Sequence, residues 1–165
     1  EVLVVDSGST DETRAVAEVR GCRVIEKEWL GFGQQNQFAV TQAKHDWVLC
    51  LDVDERVTPG LEASIRAALA SPGNKAYRMA RRNRFLGRWL SHGEGYPDWS
   101  LRLFHRQYAS WSNDPVHEAV ITTVDVFVLA INAGLLTVEE ADADKVTLEG
   151  RRFKVSFASF RELVK

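Results

Sequence analysis

An unbroken run of five apolar residues lies at 47–51, and three carboxylates follow it within four positions: Asp52, Asp54 and Glu55. An unbroken apolar run of this length predicts a strand buried on both faces, as in a parallel sheet covered by helices. In open α/β sheets, ligands bind beyond the carboxyl ends of the strands. The pattern therefore predicts that Asp52 and Asp54 emerge at a ligand site.

Strand and helix patterns alternate along the first half of the chain. The S-x-x-E spacing of Ser9 and Glu12 is a capping box that predicts a helix start, and Thr58 followed by Pro59 predicts another. The predicted order is a strand at 2–5, a helix to Val19, a strand at 23–26, a helix at 34–43, a strand at 47–51 and a helix at 59–70. This β-α-β-α-β-α order is typical of a parallel sheet with right-handed crossovers.

The second half of the chain shows predicted strands and long loops in place of alternating strands and helices. Strands are predicted at 76–83 and 99–104, an aromatic- and glycine-rich loop at 85–96, and a turn followed by a strand at 111–120. We interpret this second half of the chain as a region of mixed structure, with strands joined by long loops, in which an acceptor binds. The last part, residues 121–165, reads as a helical tail: an apolar helix at 123–133, a capped helix at 137–148, and an edge strand or last helix from 151 onwards.

Composition narrows the class of protein. The 165 residues are 45% hydrophobic and 27% charged, which fits one globular domain. The net charge of −2 indicates no general affinity for nucleic acid or membranes. Cys22 and Cys50 are isolated, and the four histidines lack zinc spacing, so we expect buried or free thiols in a reducing compartment.

Positive charge is concentrated in one stretch. The bases here are Lys75, Arg78, Arg81, Arg82, Arg84, Arg88, Arg102 and Arg106, and the acids are only Glu94 and Asp98. Two interpretations stay open: a solvated arginine-rich face, or a surface for phosphorylated or anionic substrates.

Asp52 and Asp54 also invite two interpretations. Carboxylates in alternate positions suit Mg²⁺ or Mn²⁺, which proteins usually hold through one or two carboxylates plus substrate phosphates. The alternative is an ordinary acidic strand end that caps the next helix.

Four stretches in order resemble family 2 glycosyltransferases of the GT-A type, and most closely the bacterial lipopolysaccharide core transferases. They are V-V-D-S-G-S-T-D at 4–11, G-Q-Q-N at 33–36, L-D-V-D-E at 51–55, and Y-P-D-W-S-L-R-L-F at 96–104 followed by V-H-E at 116–118. The resemblance covers residues 1–120, which we expect to form one domain with the Rossmann-like, three-layer α/β fold of GT-A enzymes.

The resemblance implies inverting transfer of a sugar from a UDP- or ADP-linked donor to a hydroxyl of a lipopolysaccharide-core, glycolipid or other saccharide acceptor. The implied metal ligands for Mg²⁺ or Mn²⁺ are Asp52 and Asp54. The implied donor-binding residues are Asp6, Ser7, Gly8, Ser9, Gln35, Asn36, Asp52 and Arg102. A turn-forming role is the alternative for Asp6.

An inverting transfer needs a general base for the attacking hydroxyl. Glu118 is the preferred candidate and Asp98 the second. The alternative for either carboxylate is a salt bridge to Arg102 or Arg106. No nucleic-acid partner is expected; the implied location is the cytoplasm, at the inner face of the bacterial inner membrane, where a peripheral membrane contact would occur.

The sequence departs from the family at both ends. The family's opening strand would precede Glu1 and lie between strands 2–5 and 47–51, so we expect an N-terminally truncated fold with two unpartnered strand edges. Residues 121–165 do not fit the family and weakly resemble the end of PIN-domain nucleases. These departures predict a chain that is weak or inactive as a transferase. The alternative function is a catalytically incompetent fragment that serves as a structural or binding module.

Overall fold

A computed structural model of the chain describes residues 1–93, 96–114, 117–129, 136–138 and 155–159, of which the last two stretches are described by backbone alone. The helices in this part of the chain are α1 (Thr13–Val19), α2 (Phe32–Gln42) and α3 (Pro59–Ala70). The strands are β1 (Val2–Asp6), β2 (Arg23–Glu26), β3 (Trp47–Asp52), β4 (Glu55–Val57), β5 (Ala76–Phe85), β6 (Arg88–Trp89), β7 (Asp98–His105), β8 (Ala109–Trp111), β9 (Val120–Thr122), β10 (Val126–Val128), β11 (Leu136–Val138) and β12 (Val155–Ser159).

The alternating order of the first half is confirmed except for β4, an unpredicted strand between β3 and α3. β1 pairs parallel with β2, and β1 and β3 both run antiparallel to β12, so β1 and β3 are parallel to each other. The hydroxyl of Thr58 caps α3 by accepting from the amide of Leu61, and Pro59 occupies the first turn. The predicted capping box of α1 is wrong, because Ser9 binds the Asp6 carboxylate and the N-cap residue is Glu12, whose side chain makes no capping bond. The first amide of the helix, that of Thr13, donates instead to Asp11 Oδ1 at 3.0 Å.

Two apolar clusters cover opposite faces of the sheet, as a three-layer fold requires. Alternate residues of β3 point to opposite sides, because successive side chains of a strand alternate in direction. Val48 and Cys50 pack in the cluster that contains Ala39 and Val40 of α2. Leu49 packs in the cluster with Leu61, Ile65 and Leu69 of α3.

The mixed second half is confirmed for the strands predicted at 76–83 and 99–104. In place of the turn and strand predicted at 111–120, the structure has β8 ending at Trp111 and β9 beginning at Val120. β7 pairs antiparallel with both β3 and β5. The β5–β7 register shifts between Tyr77 and Arg78, whose partners are Leu103 and Leu101, and Arg102 is the extra residue of this bulge. A bulge bends its strand and redirects a side chain. The predicted loop after Phe85 contains β6, which pairs with the end of β5.

The predicted helical tail is wrong wherever the structure describes it. Residues 126–128 form β10 instead of the helix predicted at 123–133, and residues 136–138 form β11 where the next helix was expected to begin. The remainder of both helix predictions, residues 130–133 and 139–148, lies outside the described residues. From 151 onwards the structure describes only β12, so the strand interpretation is the correct one there.

β12 is a central strand and not the predicted edge strand. It lies between β1 and β3 and pairs antiparallel with both, Ala158 being opposite Val2 on one side and Leu49 on the other. The prediction that these two strands lack a partner is therefore wrong. No helix among the described residues is long and apolar enough to cross a membrane.

Candidate active site

The loop after β1 is organised by the Asp6 carboxylate. This side chain is fully buried, and its Oδ2 accepts from the amides of Gly8 at 3.1 Å and Ser9 at 2.8 Å. The Ser9 hydroxyl donates to Oδ1. Gly8 has a φ of 88°, a conformation that glycine adopts without a steric penalty. Asp6 thus performs the turn-forming role, and the loop it holds projects from the carboxyl end of β1.

Gln35 connects this loop to the start of α2. Its side chain is fully buried, Nε2 donates to Ser7 Oγ at 3.0 Å, and Oε1 accepts from the Leu30 amide at 3.4 Å. Asn36 is buried beside it and donates to the Phe32 carbonyl; its Oδ1 has no hydrogen-bond partner among the described residues. The structure therefore brings the predicted donor-binding residues of the first loop together with Gln35.

Glu118 lies beside the same helix start. A Cβ built on Gly33 would be 2.1 Å from the carbonyl oxygen of Ser112 and 3.4 Å from the Cβ of Glu118. Only a glycine allows the β8–β9 connection to approach the helix backbone this closely. The Glu118 carboxylate has no hydrogen-bond or ion-pair partner within the part of the chain that the structure describes.

Residues 52–55, which contain the two predicted metal ligands, form a tight turn from β3 into β4. Asp52 ends β3 with its side chain 43% exposed, Asp54 is exposed in the turn, and Glu55 begins β4 with a side chain that is fully buried. Glu55 Oε2 accepts from the Asp52 amide at 2.9 Å and closes the turn. Glu55 was not among the predicted site residues.

Arg102 joins this turn to β7. Its Nη2 donates to Asp52 Oδ2 at 2.6 Å and to Glu55 Oε1 at 2.8 Å, and its guanidinium lies 5.8 Å from the Trp111 ring centre. Burial alone would lower the pKa of Arg102, but the two carboxylates outweigh burial and raise it. Arg102 is therefore a fixed cation at the carboxyl end of β3.

Glu55 belongs to a second ion pair. Arg81 Nη1 lies 3.3 Å from Glu55 Oε1, and Arg81 also binds Asp98 Oδ2 through Nε at 2.7 Å and Nη2 at 2.6 Å. Burial raises the pKa of Glu55, and Arg102 opposes that shift. Asp98 is thus held in a salt bridge, although to Arg81 and not to Arg102 or Arg106 as the alternative assumed.

The donor set fits a hard cation only together with substrate phosphates. Asp54 is exposed and forms no ion pair with a described residue. Asp52 forms an ion pair with Arg102, which also binds Glu55. No group of three or more His, Cys, Asp or Glu side chains in the described stretches could hold a metal alone. Two carboxylates plus phosphate oxygens are the usual environment of Mg²⁺ in proteins that bind nucleotides.

A cavity of about 610 Å³ opens on the face of the sheet that carries α1. Its lining includes the first turn of α1 (Asp11, Glu12 and Thr13), Val4 of β1, and Val53 between the two aspartates. Helix α1 buries no residue, and its Val16 and Ala17 also line this cavity. A volume in this range accommodates a ligand of nucleotide size.

Cys22 and Cys50 are both free thiols, as predicted, and the reducing compartment stays a prediction. Cys50 is buried in β3, and burial raises the pKa of its thiol to about 12, so it stays protonated at neutral pH.

The fold is a Rossmann-like α/β fold of the GT-A type, and comparison with known proteins assigns the family of the chain. A family model described as glycosyl transferase family 2 matches residues 1–122. The chain belongs to glycosyltransferase family 2.

Several bacterial proteins are similar to the chain. It is 34% identical to a protein named "Uncharacterized glycosyltransferase" from Rickettsia bellii over 135 residues, 76% of this chain and 45% of that protein. It is 30% identical to the lipopolysaccharide core biosynthesis glycosyltransferase LpsC of Rhizobium meliloti over 128 residues, 73% of this chain and 47% of that protein. The chain thus spans less than half the length of these relatives.

Proposed function

We propose that the domain transfers a sugar, with inversion, from a nucleotide-diphospho-sugar to a hydroxyl of a lipopolysaccharide-core or similar glycolipid acceptor. The observation that carries the proposal is the juxtaposition at one sheet edge: the Asp6 loop follows β1, and the turn from Asp52 to Glu55 follows the parallel strand β3. Ligands of open α/β sheets bind at such carboxyl ends. The match to LpsC supports a glycolipid acceptor.

In this proposal the cavity beside α1 receives the nucleoside, and the aspartate turn holds the diphosphate. Asp54 and Asp52 would hold Mg²⁺ or Mn²⁺, which when bound offsets the negative charge that develops on the leaving diphosphate. Arg102 lies 2.6 Å from Asp52 and adds a permanent positive charge near the same oxygens. The Ser7, Gly8 and Ser9 segment, fixed by Asp6 and Gln35, shapes the wall next to the donor.

Glu118 is the base that we propose for the acceptor. Its carboxylate takes the proton of the attacking hydroxyl while the new glycosidic bond forms and the bond from sugar to diphosphate breaks. Asp98 is the second candidate, but its Oδ2 already accepts from Arg81 and Asn83. A carboxylate without such a partner is freer to accept a substrate proton.

Donor binding is tested by titrating UDP and ADP in the presence of Mn²⁺ by calorimetry. The substitution Asp54→Asn should weaken binding at least about ten-fold, the scale of effects at metal sites. Asp46→Asn is the matched control, because Asp46 is an exposed carboxylate paired with Arg106 outside the site. Equal affinity in both variants would remove Asp54 from the donor site.

Turnover measurements on variants then distinguish between the two candidate bases, Glu118 and Asp98. With a sugar donor and a core-oligosaccharide acceptor, Glu118→Gln should lower kcat about a hundred-fold or more while donor affinity is kept. Asp98→Asn should act mainly on stability, since it removes one of the two carboxylate partners of Arg81. A reversed order of effects would assign the base to Asp98.

A binding module without catalysis is the second candidate function. It is favoured by β12, which runs antiparallel between β1 and β3 at the position where the family resemblance implies the opening strand. Nucleotide binding without turnover of any UDP- or ADP-sugar would support it. Micromolar donor binding with turnover would exclude it and would contradict the expectation of a weak enzyme.

A further inference from the structure

The hairpin formed by β5 and β6 has an unusual turn. Arg84 pairs with Trp89 and Phe85 with Arg88, which leaves the two-residue loop Leu86-Gly87. Both loop residues have positive φ, 49° and 74°, the conformation of a type I′ turn. Asparagine or glycine normally occupies the first position, because a side chain with a bulky Cβ substituent is strained there. Here that position carries a leucine whose surface is 78% exposed.

One face of the hairpin combines tryptophan and arginine. The guanidinium carbons of Arg82 and Arg84 lie 5.5 and 5.9 Å from the Trp89 ring centre, and Trp89 itself is 37% exposed. Further along β5, Arg78 lies 5.4 Å from the ring centre of Trp99. Guanidinium groups stacked on aromatic rings keep their N–H donors available for anions.

The arginines of this region fall into two groups. Arg81 is neutralised by Glu55 and Asp98, as described above. Arg82, Arg84 and Arg88 have no carboxylate partner among the described residues, and residues 76–93 contain five arginines and no acidic residue. The positive charge is therefore local, in a chain whose net charge is −2.

We propose that the β5–β6 hairpin is a docking element for an anionic lipid bilayer. Leu86 and Trp89 would enter the interfacial layer, where tryptophan prefers to lie, and Arg82, Arg84 and Arg88 would bind lipid phosphates. An apolar side chain at a strained, exposed turn position adds nothing to the binding of a soluble polyanion. Bilayer insertion gives it a role, and for this reason the lipid surface is favoured over nucleic acid.

The proposal extends the proposed glycolipid-directed function by naming the surface that meets the membrane. Its test needs neither donor nor acceptor, so its failure would leave the transferase assays above unaffected. Likewise, a negative result in the donor-binding and turnover assays would not affect the outcome of the vesicle-binding experiment.

Vesicle flotation measures the interaction directly. The whole chain is mixed with phosphatidylcholine vesicles with and without phosphatidylglycerol, and we expect binding only when the anionic lipid is present. The double substitution Arg82→Gln and Arg84→Gln should reduce the partition coefficient about five-fold per arginine. Arg66→Gln is the matched control, since Arg66 is an exposed arginine of α3 paired with Glu62, and it should leave partition unchanged.

Leu86→Asn tests insertion separately from charge. Asparagine is favoured in the first position of a type I′ turn, so the hairpin should be kept and the melting temperature should not fall. Vesicle partition should drop about ten-fold because an apolar side chain no longer enters the bilayer. Unchanged partition of Leu86→Asn, an equal loss in Arg66→Gln, or full competition by soluble polyphosphate would each overturn the proposal.

Discussion

Glu55 determines the geometry of the candidate site although it faces no solvent. Its two oxygens receive the Asp52 amide, Arg102 and, at longer range, Arg81. One carboxylate thus closes the turn that displays Asp52 and Asp54 and links that turn to β5 and β7. A buried carboxylate with these partners is costly to desolvate, and the arginines compensate that cost only while all of them are present.

A double-mutant cycle on Glu55 and Arg102 should expose this dependence. Arg102→Leu leaves Glu55 buried with only the distant Arg81, so we expect a loss of about 3 kcal/mol in the free energy of unfolding. Glu55→Gln should cost less, about 1–2 kcal/mol, because Arg102 keeps Asp52. In the double variant the losses should not add, since the unpaired buried charge is gone. Urea unfolding measures all four proteins.

Additive losses in that cycle would show that the two side chains act independently. As a control, Arg66→Leu and Glu62→Gln remove an exposed helical pair and should each change stability by less than about 0.5 kcal/mol.

The sequence identified the acidic turn but not the role of its third carboxylate. The alternate positions of Asp52 and Asp54 after an apolar strand indicated that both side chains leave the sheet at a ligand site. The same pattern gave no sign that the chain turns back between β3 and β4 within two residues. The short E-R-V pattern of β4 is the one local hint of a returning strand. Arg102 was predicted as a donor-binding residue, but its place in a bulge depends on the register between β5 and β7, which no local pattern encodes.

Among the elements, α2 shows how a backbone contact places a candidate base. Gly33 lies in the first turn of α2, against the Ser112 carbonyl, and the same contact keeps Glu118 near the helix start. Sequence patterns indicated the helix and the G-Q-Q-N stretch, yet the partner of the glycine is 79 positions further along the chain.

Gly33→Ala sets two effects against each other. Alanine is the better helix former by about 1 kcal/mol, but its Cβ would be 2.1 Å from a backbone oxygen, so the connection must move. We expect a net loss of about 2 kcal/mol in the free energy of unfolding, typical of overpacking, and a lower kcat at unchanged donor affinity. Thermal unfolding and steady-state kinetics measure the two effects.

Gly73→Ala is the control for that experiment. No atom lies within 4 Å of the Cβ that would be added there, so stability should change by less than about 0.5 kcal/mol. A Gly33→Ala protein as stable as the parent would mean that the connection from β8 to β9 is not held against α2.

Most elements of the first half were predictable because apolar runs and turn residues agree there. The exceptions are the start of α1, where the predicted capping box does not form, and the short strand β4. The helix predicted at 123–133 failed for a physical reason: a short apolar run fits a strand as well as a helix, and Val126 and Val128 are β-branched. The strand pairing of β10 with β5 then decides between the two conformations.

At the scale of the whole molecule, the centre of the sheet is completed from the far end of the sequence. β12 separates two strands whose sequence positions are more than a hundred residues earlier, and it pairs with both along its length. Such long-range pairing is invisible to local periodicity. The family resemblance implied a strand between these two, but no local pattern identified residues 155–159 as that strand.

Proline substitution in β12 tests this arrangement. A residue of a strand with partners on both sides donates its N–H to one of them, so Ala158→Pro removes a ladder hydrogen bond and leaves the carbonyl of a neighbouring strand without its donor. We expect a loss of about 2 kcal/mol or more in the free energy of unfolding. Ala158→Gly keeps the N–H and should cost less than about 1 kcal/mol. Equal stability of the proline variant, the glycine variant and the parent in urea unfolding would place β12 outside the sheet, and the edges of β1 and β3 would then be open to another strand.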